Sequence, residues 1–270
     1  MKRTYDAFTL KMVAIIGMLL QHTAIVFHEV IPFGLEIPMH FAGGLTFPIL
    51  AFFLVEGYKH TSNVGKYMRR IFLFAVISQI PYTMAFSRLI PIFSLNIMAT
   101  LLLGLVLLWL YDKIKSRGLF WFIFVLLVAV SLVFDWGIIG PIMIIMYRVI
   151  SDEKRRRVAP SIFAGTANIV MNLIAFVGVM LIFLAESTTQ SVSQAVDLTL
   201  ASIAETGINP ILAVMFAIGS LCAIPLIRRY NGERGRSMKW MFYIFYPLHF
   251  VVLLLIGYAF GIFDFIFRIF

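Results

Sequence analysis

Long apolar runs alternate with short clusters of Lys and Arg along the whole chain. A helix that crosses a bilayer needs roughly 20 apolar residues, within about 17 to 25. Reading the runs between charge clusters predicts nine spans, at residues 8–30, 41–58, 70–86, 92–111, 118–134, 137–150, 161–185, 208–227 and 241–263. The sixth is short, which predicts a tilt, a re-entrant course or a kink near Pro141. The fifth and sixth also fit one unit broken around Asp135-Trp136-Gly137. The expected fold is an all-α, polytopic membrane helix bundle. About nine transmembrane helices are expected, with eight or ten as the neighbouring counts, in one domain over residues 1–270. Met1-Lys2-Arg3 before an apolar run resembles a signal peptide. The run lacks a small-x-small cleavage site and contains Gln21-His22, so it is read as a retained first helix.

Orientation follows from the cations. They fall in five clusters: Lys2, Arg3 and Lys11; Lys59, Lys66, Arg69 and Arg70; Lys113, Lys115 and Arg117; Arg148 and Lys154 to Arg157; Arg228, Arg229, Arg234, Arg236 and Lys239. Nine alternating helices put all five on one side, and of 22 Lys and Arg only Arg88 and Arg268 fall opposite. The N-terminus is therefore expected in the cytoplasm and the C-terminus outside. The polar stretch from Glu186 to Asn209 lies outside in this reading. Its Val192, Val196, Leu200 and Ile203 are spaced like one face of a surface helix.

Composition removes the other classes. Of the 270 residues 61% are hydrophobic and 13% charged, about half the charge of a soluble domain. A soluble enzyme, a disordered chain and a disulfide scaffold are excluded, and a multi-pass protein of the cell membrane remains. The net charge of +9 belongs to the loops that face the cytoplasm, so no nucleic-acid partner is read from it. Cys222 has no second Cys to pair with.

Polar groups at membrane depth are costly and mark functional positions. Lys11 and His22 are eleven residues apart, so at about 100° per residue they share a face, with roughly 16 Å between them along the axis. A neutral imidazole suits a general base for an amine or hydroxyl, and a packing hydrogen bond is the plainer alternative. Glu56 and His60 share a helix face near the cytoplasmic boundary, as a cap or as a polar lining for a cofactor entrance. Gln79 precedes Pro81, which frees backbone carbonyls. Asp135 sits at the outer boundary, in a turn or oriented to His22 or an acceptor. The last cationic loop, with Asn231, Arg234 and Lys239 among Gly232 and Gly235, suits an anion such as phosphate. Tyr243, Tyr246 and His249 follow at i, i+3 and i+6 as a possible polar stripe. His28, Glu29, Glu36 and His40 lie in a Pro-containing outer loop, and no metal site is assigned to them.

Several of these segments are similar to the TraX family, membrane proteins named for acetylation of conjugative F-pilin. The segments are Phe47-Pro48-Ile49 and Val55-Glu56-Gly57-Tyr58 with His60-Thr61, then Ile77-Ser78-Gln79-Ile80-Pro81 and Asp135-Trp136-Gly137. The most specific block runs from Tyr230-Asn231-Gly232 and Arg234-Gly235 through Lys239 to Tyr246-Pro247-Leu248-His249. The resemblance spans about residues 8–255. Members often carry acidic residues where Gln21 and Gln79 stand, and their loss here would weaken the basicity of His22 or shift the role of its partner to Asp135 or Glu56. The family is grouped with membrane acyltransferases that keep a basic residue and a His on the first helix, and Lys11 and His22 look like that pair.

The resemblance implies an acyl-CoA donor, acetyl-CoA first, and an exported peptide, pilin-like protein or other cell-envelope acceptor reached from outside or from membrane lipid. Lys11, Arg234 and Lys239 would meet the coenzyme's phosphates, with Glu56, His60, Asn231 and His249 along its path. His22 would take the acceptor's proton, with Gln79 or Tyr246 at the developing oxyanion. Two other functions remain open. A transporter or flippase of a small or lipid-linked substrate favours two related halves, and none is visible. A non-catalytic assembly factor would bind no acyl-CoA.

Overall fold

The computed structural model describes residues 4–86, 94–186, 193–194, 196–199 and 209–262, without the side chains of Phe183, Glu186 and Lys239. Among the described residues all regular elements are helices: α1 (Ala7–Val26), α2 (Phe33–Gly44), α3 (Thr46–His60), α4 (Val64–Ala85), α5 (Ile97–Lys113), α6 (Arg117–Val130), α7 (Ile139–Val149), the short α8 (Glu153–Arg156), α9 (Ala159–Glu186), α10 (Pro210–Arg228) and α11 (Lys239–Ala259). Their starts follow capping chemistry. Asp6, Asn63, Asn96, Ser116 and Asn209 each accept a backbone N–H from the first turn of α1, α4, α5, α6 and α10.

Five stretches are long and apolar enough to cross a bilayer: Ala7–Val26, Phe33–His60, Glu153–Ile182, Pro210–Arg228 and Trp240–Ala259. The chain is therefore a membrane protein. The spans expected at 70–86, 92–111, 118–134 and 137–150 contain the helices α4, α5, α6 and α7, which do not meet the same measure. α4 has 22 residues with Lys66, Arg69 and Arg70 in its first two turns, and α5, α6 and α7 have 17, 14 and 11.

Three local expectations change. The segment with Glu36 and His40 is helix α2 rather than loop, with Pro32 at its N-cap and Pro38 in its second turn. α2 runs into α3 with a break at Leu45, so the second apolar unit begins earlier than expected. Pro141 does not kink α7, because it lies in the first turn, where its missing N–H has no helical partner to lose. Residues 131–138 instead separate α6 from α7 by a 3-10 turn and a reversed backbone at Trp136 (φ 66°) and Gly137 (φ 37°). Of the stripe expected outside, Val192, Leu200 and Ile203 lie outside the described residues, as do Lys2, Arg3, Arg88 and Arg268.

Small residues let helices meet backbone to backbone. At the crossing of α2 and α10, a Cβ on Gly44 would collide with the Phe216 carbonyl, and one on Gly219 with the Phe41 carbonyl. Ser220 fastens the crossing by donating to the Gly44 carbonyl at 3.1 Å. This close approach is how helices associate where lipid supplies no hydrophobic drive.

Polar contacts gather the cationic clusters at one end. Asp112 accepts from Tyr58 at 2.9 Å and from Arg148 at 2.7 Å. Glu56 pairs with Lys59 at 3.0 Å and lies 3.9 Å from Arg156. Arg157 donates to the carbonyls of Ile227, Arg228 and Tyr230 and to Glu153. Thr4 donates to the Arg229 carbonyl at 2.8 Å.

Candidate functional site

The N-terminal segment and the loop between α10 and α11 are stitched together at the cationic end. Ala7 donates to the Glu233 carbonyl and Asn231 to the Tyr5 carbonyl, both at 2.9 Å. Gly235 turns at φ 64° directly against the Asp6 carboxylate, where any side chain would collide. Asp6 in turn caps α1 through the Thr9 N–H at 2.8 Å, and these bonds hold its carboxyl below the usual carboxylate range.

Above this seam opens a cavity of about 570 Å³, within the ordinary range of about 300 to 1,000 Å³ for ligand sites. Lys11, Arg70, Arg234 and Arg236 border it, drawn from α1, α4 and the loop. Lys11 is held over the rings of Phe53 and Phe242, at 5.1 and 5.5 Å. Arg70 lies over Tyr67 at 5.7 Å, and its buried Nε has no hydrogen-bond partner. An anion with several charged oxygens matches such a wall. Glu56 and His60 border the same cavity but do not pair through their side chains. His60 Nδ1 donates to the Glu56 carbonyl at 2.8 Å, and the Glu56 carboxylate faces Lys59 and Arg156. Asn231 is occupied with Glu233, which it meets through both its amide nitrogen and its oxygen. The Lys239 side chain lies outside the described residues.

A second cavity of about 240 Å³ adjoins the first, and Met18 and Ile97 border both. Its other walls include His22, Asp135, Gln21, Tyr82, Trp136 and Phe216. Asp135 is fixed at its backbone, where its N–H donates to the Leu95 carbonyl at 2.7 Å and its carbonyl accepts from Thr100. Trp136 stacks on Phe47 with ring centres 4.3 Å apart. His22 and Asp135 thus share one chamber, roughly three helical turns from Lys11 along α1.

His22 also meets a partner that the sequence does not reveal. Its Nδ1 lies 2.8 Å from Nε2 of His249, and the two rings stack with centres 5.1 Å apart. His249 Nδ1 faces the Phe245 carbonyl at 3.0 Å. A carbonyl only accepts, so that nitrogen carries the hydrogen. Nε2 of a neutral His249 is then the acceptor, and His22 must donate from Nδ1. The hydrogen-bond chain thereby leaves the lone pair of His22 on Nε2. Phe250 stacks on the His22 ring and Phe86 meets it edge-on. His249 is thus placed with His22, and not on the wall of the large cavity.

The two oxyanion candidates separate. Tyr246 borders the large cavity, and its oxygen accepts from the Ile97 N–H at 3.3 Å, which leaves the phenol hydrogen to donate elsewhere. Both Gln79 amide hydrogens are taken, by Thr83 at 3.0 Å and by the Ser94 carbonyl at 2.8 Å. Its oxygen accepts from Asn96. Gln79 ties α4 to the start of α5 and borders neither cavity. On the far side, Glu36 and His40 are buried on α2, with His40 bonded to the Glu36 carbonyl at 3.0 Å. No group of three His, Cys, Asp or Glu that would hold a metal occurs among the described residues. Arg70, Arg236 and Tyr67 line the large cavity as well, and the sequence does not single them out as candidates. Only their helix and loop positions beside other cations signal them.

Residues 7–257 match the family described as TraX protein. A relative from Dichelobacter nodosus, described as "Probable fimbrial assembly protein FimC, serogroup H1", is 29% identical over 260 residues, which cover 92% of this chain and 94% of the relative. No solved structure matches the chain. The family match takes in every helix from α1 to α10, nearly all of α11, both cavities and the His22–His249 contact, and so the chain belongs to the TraX family.

Proposed function

We propose that this chain is a membrane-embedded acetyltransferase that moves the acetyl group of acetyl-CoA onto an amine or hydroxyl of an exported or membrane-bound acceptor. The observation that carries the proposal is the bonded His22–His249 pair beside a small chamber that adjoins a cation-walled cavity. By the positive-inside rule the cationic end faces the cytoplasm, where coenzyme A is available. Its phosphates meet Lys11, Arg70, Arg234 and Arg236, and the pantetheine arm runs toward His22. The acceptor enters the small chamber from the opposite side.

The acceptor's nitrogen or oxygen attacks the thioester carbonyl. His22 Nε2 takes the proton that this atom loses, and His249 holds the imidazolium through the Nδ1 hydrogen bond. Tyr246 donates to the developing oxyanion. The C–S bond then breaks, the His22 proton passes to the thiolate, and the products are acetylated acceptor and free coenzyme A. The D. nodosus relative carries the words fimbrial assembly in its name, which favours a surface-appendage subunit as the acceptor. The same words favour a second reading, an assembly factor without catalysis, which would consume no acetyl-CoA.

The test is mass spectrometry of membrane and secreted molecules from cells with and without the protein. An acetyl group lost with the protein, and restored by the wild-type chain but not by His22→Ala, supports transfer. An identical acetylation profile contradicts it.

A further inference from the structure

We infer that Met18 and Ile97 act as a gauge that restricts the donor to a short acyl chain. The inference rests on the acyltransferase reading and names what selects the donor within it. The cavities of about 570 and 240 Å³ have different chemistry but share these two side chains. Lys11, Arg70, Arg234 and Arg236 border the first, and among the described residues no Lys or Arg borders the second. A donor held by its phosphates in the first must deliver its carbonyl to His22 in the second, so its acyl group passes between Met18 and Ile97.

The two walls differ in stiffness. Ile97 is the first residue of α5, and its N–H is held by Tyr246 at 3.3 Å. Asn96 before it donates to the Ala75 carbonyl and to Gln79, both at 2.8 Å. A β-branched side chain on so firm a backbone has little rotamer freedom. Met18 stands one turn before His22 on α1, is buried, and carries a flexible unbranched side chain. Beyond them the small chamber is walled by Tyr82, Trp136 and Phe216 and must also hold the acceptor. Every added methylene therefore competes with the acceptor for the same space.

The test uses membrane vesicles that contain the full-length protein together with envelope proteins. They are supplied separately with acetyl-, butyryl- and hexanoyl-CoA labelled in the acyl group, and label on protein is counted. Wild type is expected to transfer acetyl well and hexanoyl poorly. Met18→Ala is expected to raise the butyryl-to-acetyl ratio by at least about tenfold, the ordinary weight of one methylene in a fitted pocket. Met18→Phe is expected to lower it. Misfolding reduces all donors alike, so the ratio reads the gauge alone. Active wild type with the same ratio in both variants overturns the gauge and leaves the acyltransferase reading standing. No transfer by wild type from any of the three donors overturns both.

Discussion

His22 on α1 and His249 on α11 are 227 positions apart in the chain and 2.8 Å apart in space. The bond gives a distinct expectation for variants. His22→Ala removes the proposed base and is expected to lower kcat by about 10²- to 10⁴-fold. His249→Ala removes only the group that orients and stabilises it, so a smaller loss is expected. The double variant should be no slower than His22→Ala alone, because residues that act as one unit are not additive. Steady-state rates of the four proteins, measured as release of free coenzyme A thiol, check this. Additive losses would mean that the two rings act separately.

The cavity cations should separate from the His pair in kinetic terms. Arg70→Gln and Arg234→Gln each remove one charged donor from the wall of the large cavity. A hydrogen bond to a charged group is worth about 1.5 to 3 kcal/mol, or roughly 10- to 100-fold in binding. The KM for acetyl-CoA is expected to rise on that scale, with kcat changed far less. Titration of acetyl-CoA at fixed acceptor checks it.

Much of the architecture was legible because cost is written into a membrane sequence. Lys11 and His22 share a face through helical period alone, and Lys11 borders the large cavity while His22 borders the small one. The cation clusters predict a common end, and ion pairs such as Arg148–Asp112 join two of them there. What stayed hidden depends on contacts between distant segments. Nothing local to His249 names His22 as its partner. Gln79 reads as a costly polar group with a chemical task, and its amide is taken up by Thr83, the Ser94 carbonyl and Asn96. The α2 segment reads as loop because it carries prolines among polar residues. Its Gly43 and Gly44 pack closely against Gln21 of α1 and Phe216 of α10, contacts that no local pattern announces.

The α2–α10 crossing depends on the absence of side chains. Gly44→Val and Gly219→Val each force a Cβ into a facing carbonyl. Overpacking of this kind costs about 1 to 3 kcal/mol or more, so both variants should unfold at lower temperature in detergent. Gly118 on α6 has nothing within 4 Å of its added Cβ, and Gly118→Ala should be neutral or stabilise by up to about 1 kcal/mol. Thermal unfolding of the three variants beside wild type checks the contrast.

The Asp6 cap adds a pH signature at the seam. Its carboxyl is held below the usual carboxylate range by the Thr9 bonds, so the folded state favours the charged form. Its contribution is therefore complete above the ordinary carboxylate pKa of about 3.9 and declines as pH falls through the lowered value. Asp6→Ala should cost about 0.5 to 2 kcal/mol at neutral pH, as loss of an N-cap does. The stability gap between wild type and Asp6→Ala should shrink in acid. Unfolding temperatures from neutral to acidic pH measure it.

The most direct measurement follows acetyl-labelled acetyl-CoA into membrane vesicles that carry wild type or His22→Ala, with binding of the coenzyme measured in parallel on the same samples. The expected result is labelled envelope protein with wild type, none above background with His22→Ala, and equal coenzyme binding by both. Equal labelling by the two proteins would show that the imidazole on the wall of the small chamber is not the base.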